Sequence, residues 1–139
     1  MEYALADTGV WYGIFDSRDP RYNEAQSKVE FFDLLTIVIP WPTVYETLRT
    51  RFVRNRSGLQ LFEIFLKTHH IVYIDDDIYK NEALDLSIES SLRKGRPLSM
   101  VDCLLRLIID DPNVKIDFLL TFNRPDFIDA CRKNRVEIL

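Results

Sequence analysis

The sequence has only two cysteines, four glycines and six prolines. Cys103 and Cys131 cannot build the disulfide framework of a small secreted domain, and both lie in segments that read as helical, so a reducing cytoplasm is the expected compartment. The glycines and prolines are scattered singly, which leaves no low-complexity linker, and no internal repeat is present. The longest apolar runs, such as residues 36–40, fall far short of the roughly 20 residues needed to cross a bilayer, so no membrane association is expected. The N-terminus lacks the basic-then-apolar order of a signal peptide. No G-x-G-x-x-G or P-loop pattern occurs, and His69 and His70 are not spaced with other ligands as in a zinc site.

Aromatics are plentiful: nine Phe, six Tyr and two Trp among 139 residues, 47% of them hydrophobic. That excludes disorder and supports a single domain over 1–139 with a sizeable core. The net charge of −4 excludes a generally basic coat but not a local basic groove. Much of the acid sits in residues 75–89, which read as a solvated helix face opened by Asp75-Asp76-Asp77, where acids complement the helix dipole.

Hydrophobic periodicity alternates between the two regular structures. Strands are expected at 3–6, 36–39, 71–74, 117–121 and 135–139. Helices are expected at 8–15, from Asp19-Pro20 through Val29 and Phe32 to Leu35, at 42–55, at 59–69, at 75–93, at 100–110 and at 125–133. Gly95-Arg96-Pro97 ends one helix, and Ser99 is a candidate N-cap for the next. Strands alternating with helices predict an α/β fold with a mostly parallel sheet covered on both faces. The β-branched and apolar runs at 37–39, 71–74 and 118–120 suit strands buried on both sides.

Ligands of such sheets gather beyond the carboxyl ends of the strands. Oxygen ligands embedded among apolar residues recur there: Asp7, Glu46, Asp102, Asn123 and Asp126. Buried acids need partners or a cation, and hard oxygen ligands suit Mg²⁺ or Mn²⁺, which can serve hydrolysis of a phosphodiester. Each acid also has an ordinary role open to it. Asp7 before Thr8 could cap a helix, Glu46 could pair with Arg49 one turn on, Asp102 could pair with Arg106, and Asp126 suits a helix first turn. Arg49, Arg51 and Arg54 follow Glu46, and Arg93, Lys94 and Arg96 precede Ser99. Both groups could meet RNA phosphates, with Trp11, Tyr12, Trp41 and Phe122 as candidate stacking faces. Trp11 and Trp41 also suit a core or a dimer contact.

The segments ALADTGVWYGIFD at 4–16, PTVYETLR at 42–49, LSMVDCLLR at 98–106 and LLTFNRPDF at 119–127 resemble the PIN-domain ribonucleases, in that family's order. The resemblance matches Asp7, Glu46 and Asp102 to the family's acids, with Ser99 preceding the last and Thr8 following the first as supporting residues. Many members carry an Asp where this chain has Asn123. A subgroup resembling VapC-type toxins has Asn there and an acid three residues on, which matches Asp126. The resemblance implies a three-layer α/β/α sandwich and a metal-dependent endoribonuclease acting on single-stranded RNA. It further implies a homodimer and, for toxin-like members, a small antitoxin partner. Two other readings compete: a catalytically degenerate module of this fold that binds RNA or protein, and a receiver-type signalling module, which lacks the lysine it needs at its last strand.

Overall fold

The computed structural model describes residues 1–139. Five strands form one parallel sheet: β1 (Glu2–Ala6), β2 (Leu35–Pro40), β3 (Ile71–Ile74), β4 (Phe118–Leu120) and β5 (Glu137–Ile138), in the order β3-β2-β1-β4-β5. Ala4 pairs with Ile37 on one side and Phe118 on the other, so β1 is central. Alternate residues of each strand face opposite ways. Ala4, Ala6, Ile37, Ile39 and Leu120 feed one core; Leu5, Val38 and Leu119 feed the other.

Helices cover both faces. The first core receives α1 (Thr8–Phe15), α2 (Tyr22–Gln26), α4 (Thr50–Val53) and α5 (Arg56–Thr68). The second receives α6 (Lys80–Leu92), α7 (Met100–Asp110) and α8 (Ile128–Asn134). The result is the three-layer α/β/α sandwich, and its sheet is wholly parallel. No helix is long and apolar enough to cross a membrane.

Four expected helices differ from those observed; in the one expected at 125–133, a 3₁₀ turn over Arg124–Asp126 precedes α8. Beyond α2 the chain forms a 3₁₀ helix over Val29–Leu34 instead of continuing as α-helix. Its inward residues explain this: the half-buried Val29, the buried Phe32 and Leu35, the first residue of β2, recur every three positions, the period of a 3₁₀ turn. The expected helix at 42–55 is two: α3 (Trp41–Thr47) and α4, with Arg49 extended between them at φ −77°, ψ 169°. The cause lies in Tyr12, whose hydroxyl donates to the carbonyls of Glu46 (2.6 Å) and Thr47 (3.1 Å). Those carbonyls would otherwise accept from the next helical turn. Asp75-Asp76-Asp77 precede α6 rather than start it, and the Asp76 carbonyl accepts the Tyr79 and Lys80 amides. The break expected after α6 is present, with Gly95 at φ 63°, a conformation glycine adopts without penalty.

Trp11 anchors the first core. It is 1% exposed, and its ring centroid lies 5.2 Å from Phe65 and 5.4 Å from Phe62. Truncating a buried aromatic leaves a cavity as well as losing transfer energy, so Trp11→Ala is expected to cost about 3–5 kcal/mol. Urea unfolding measures this; a loss below about 1 kcal/mol would contradict the assignment of Trp11 as an anchor.

Candidate active site

The central strand ends at Ala6, and Asp7 leaves the sheet there as the N-cap of α1. The Asp7 carboxylate accepts from the Thr8 amide at 2.7 Å through Oδ1 and from the Thr121 hydroxyl at 2.9 Å through Oδ2. Asp7 therefore does cap a helix, but only one of its oxygens serves that purpose. Thr121 is buried, at 4% exposure. Its Oγ1 also accepts the Asn123 amide at 3.0 Å, and the Asn123 side chain donates to Asp126. Asp126 is thus linked to Asp7 through Asn123 and Thr121.

Glu46, in the last turn of α3, does not pair with Arg49. Its Oε1 accepts the Thr8 hydroxyl at 2.8 Å. Asp102 sits in the first turn of α7, where it and Ser99 form a reciprocal capping box: Ser99 Oγ accepts the Asp102 amide at 3.0 Å, and Asp102 Oδ2 accepts the Ser99 amide at 3.2 Å. The box fixes the Asp102 rotamer beside the strand ends. Asp102 does not pair with Arg106. That guanidinium makes two 2.7 Å bonds to Asp129 and donates to the Asp126 carbonyl at 2.8 Å.

The electrostatics mark Asp7 as the centre of the group. Its pKa is raised from 3.8 to about 6. Burial is the largest cause, and the charges of Asp102 and Glu46 raise it further, against the lowering effect of the Thr121 and Thr8 hydrogen bonds. Both charges acting on Asp7 are negative, so Asp102 and Glu46 each repel Asp7 without a compensating positive side chain. Three of the four predicted acids are brought together in this way; Asp126 joins through its hydrogen-bonded link.

The donor set consists of hard oxygens, and its unrelieved repulsion suits a divalent cation. The four acids do not form a closed cage. The group of three whose ligand atoms lie within 4.8 Å of one another is Asp75-Asp76-Asp77, elsewhere on the surface. An ion among Asp7, Glu46 and Asp102 would keep part of its water shell, as Mg²⁺ does.

The basic residues separate into two kinds. Arg96 does not stand free for RNA: it bonds both Asp129 oxygens at 3.3 Å and the Pro125 carbonyl at 3.1 Å. The Arg106 bonds hold the Asp129 carboxyl well below the usual carboxylate range against its partial burial, and Arg96 adds to the effect. Together these two arginines clamp the loop that carries Asn123 and Asp126. Arg49, by contrast, lies over the Tyr12 ring at 5.4 Å, and Arg51 and Arg54 are exposed. Of the candidate stacking faces, Trp11 is core and Trp41 stacks on Tyr73 at 4.5 Å. Phe122 lies beneath Arg21 and Lys28.

Thr121 and the Arg106–Asp129 pair are contributors that sequence reasoning did not single out, and Tyr12, expected as a stacking face, instead bonds the carbonyls at the end of α3. Only Thr121 carried a signal, its place at the exit of β4. Comparison with known protein families and with curated proteins finds no match for this chain.

The raised Asp7 pKa has a consequence for stability. The folded protein keeps a proton on Asp7 that the unfolded chain releases near pH 4, so this residue's contribution to stability falls as pH rises from about 4 to about 6. Asp7→Asn removes that penalty while retaining a capping oxygen. Without divalent ions, the variant should be more stable than the parent at pH 7, by as much as about 3 kcal/mol, with the gap closing below pH 4. Urea titrations at several pH values check this; a variant less stable than the parent at pH 7 would contradict it.

Proposed function

We propose that this protein is a Mg²⁺- or Mn²⁺-dependent endoribonuclease of the PIN-domain type that hydrolyses phosphodiester bonds in single-stranded RNA. The observation that carries the reading is the convergence of Glu46 and Asp102 on the buried Asp7 at the carboxyl end of the central strand, where burial raises the Asp7 pKa to about 6 and the two neighbouring negative charges add to the rise. Acids from three separate elements meet at the sheet edge where parallel α/β folds bind ligands.

Asp7, Glu46 and Asp102 would hold the cation, with Asp126 as a fourth acid and Asn123 orienting it. When bound, such an ion supplies charge neutralisation at a phosphodiester and a more acidic water. The chain's own residues do the positioning. Thr121 directs one Asp7 oxygen, Thr8 holds Glu46, and Ser99 holds Asp102. A site carboxylate can accept the proton of the attacking water.

This reading carries further expectations: a homodimer and a small antitoxin partner from the family resemblance, and a cytoplasmic location from the scarcity of cysteine. The surface offers a place for association. β3 is an edge strand with Val72 and Tyr73 exposed, and Trp41 stacks on Tyr73 beside an apolar groove that includes Leu48, Leu59 and Leu66.

Labelled single-stranded RNA incubated with Mn²⁺ should be cleaved, and EDTA should abolish cleavage. Asp7→Asn and Asp102→Asn should each eliminate it, and Thr121→Val should reduce it about 10–100-fold, as loss of a ligand-orienting partner does. Cleavage that survives both carboxylate substitutions overturns the proposal. Metal-dependent binding without cleavage would instead favour a catalytically degenerate module.

A further inference from the structure

The break between α3 and α4 has an effect beyond the helices themselves. Arg49, Arg51 and Arg54 would be spread around a continuous helix. The extended Arg49 and the short α4 instead turn them toward the loop that follows α1. There Arg51 lines two adjoining depressions. One, of about 120 Å³, is bounded by Tyr12, Asp16, Asp19, Arg49 and Phe52. The other is lined by Arg18, Thr50, Arg51 and Arg54, with neither an acid nor an apolar residue. The acids of the first depression are already engaged: Asp16 pairs with Arg18 at 3.2 Å, and Asp19 Oδ1 accepts the Arg21 amide at 2.8 Å. Arg49, Arg51 and Arg54 take no part in the protein's ion pairs, and all three residues are exposed. Tyr12 connects this surface to the acids, since its ring underlies Arg49 and its hydroxyl bonds the Glu46 carbonyl.

On the opposite flank of the acids, beside α7 and α8, Arg96 and Arg106 are consumed by Asp129, and Arg124 stands outside the ion pairs. The unspent positive charge is densest on the α3–α4 side, where three unpaired arginines lie together. We infer that single-stranded RNA is held on the α3–α4 side of the acidic site, its successive phosphates lying along a track formed by Arg49, Arg51 and Arg54. The track takes the sugar-phosphate backbone of an extended single strand, and binding along it is independent of base sequence. This inference rests on the ribonuclease reading for the nature of the strand, but its test does not depend on cleavage.

A fluorescein-labelled 12-nucleotide uridine RNA is titrated with the full chain in EDTA, and polarisation is followed across a salt series. Arg51→Glu combined with Arg54→Glu should weaken binding at least about tenfold and flatten the log K against log salt slope by about 1 to 1.5, two phosphate contacts on a single strand. Arg132→Glu combined with Lys133→Glu on α8 changes net charge equally on the other face and should leave both quantities near the parent's. Equal weakening by the two double variants, or none by the first, overturns the track. So does a parent chain that does not bind. Loss of RNA cleavage with track-dependent binding intact would remove the ribonuclease reading and leave the track.

Discussion

In the register of β1 against β4, Ala6 lies beside Leu120, and the Asp7 amide donates to the Leu120 carbonyl at 3.0 Å. Asp7 and Thr121 therefore leave the sheet side by side, and the hydroxyl of one reaches the carboxylate of the other. Everything at the site is referred to that pair. Thr121 also receives the Asn123 amide, which sets the loop leading to Asp126, while the amide of Thr8 and its hydroxyl tie Asp7 and Glu46 to the start of α1. A slip of one residue in this register would turn every side chain of β1 to the other face, and the apolar alternation of Ala4, Leu5 and Ala6 between two cores holds it in place.

The same arrangement gathers negative charge that the fold itself does not neutralise. Cations are close by, yet they are directed elsewhere. Arg106 and Arg96 are spent on Asp129, where they brace the Asn123–Asp126 loop, and Arg49 stands over Tyr12. The acids are left to repel one another at one edge while positive charge lines the adjoining surface. In the proposed reading a cation would relieve the acids, and a phosphate chain laid along the arginines would bring its own negative charge to that cation. Tyr12 is the hinge of this division. By taking the carbonyls of Glu46 and Thr47 it ends α3 where Glu46 can reach Thr8, and it starts the turn that gathers Arg49, Arg51 and Arg54 on one side.

Much of the fold is legible in the residues. The apolar runs at 37–39 and 118–120 mark strands because side chains covered on both faces leave no room for polar alternation; the run at 71–74 is also a strand, but it lies at the sheet edge with Val72 and Tyr73 exposed, not buried on both sides as its composition suggests. α1 appears over the span that its cap and apolar spacing indicate. The candidate acids were legible for a related reason, since charged groups among apolar neighbours are expensive without a purpose. What was misread depends on partners distant in sequence. A helix from 42 to 55 is reasonable from local spacing, and nothing local to it reveals that a tyrosine from α1 caps its carbonyls. Asp102 and Arg106 have ideal spacing for a pair, but Asp129 offers Arg106 two-point bonding, and the capping box has already engaged Asp102.

The sequence by itself determined the layered α/β architecture, the order of its elements and the identity of the acids at the strand ends, because these follow from the period of burial along the chain and from the cost of isolated charge. Only the tertiary structure decided which acids act on one another and which cations remain free. Those outcomes turn on competition among hydrogen-bond partners more than 20 residues apart, such as Arg106 with Asp129 and Tyr12 with Glu46, and on the depth of burial that raises Asp7. Neither quantity is written in local spacing; both arise when the sheet closes and forces the choice.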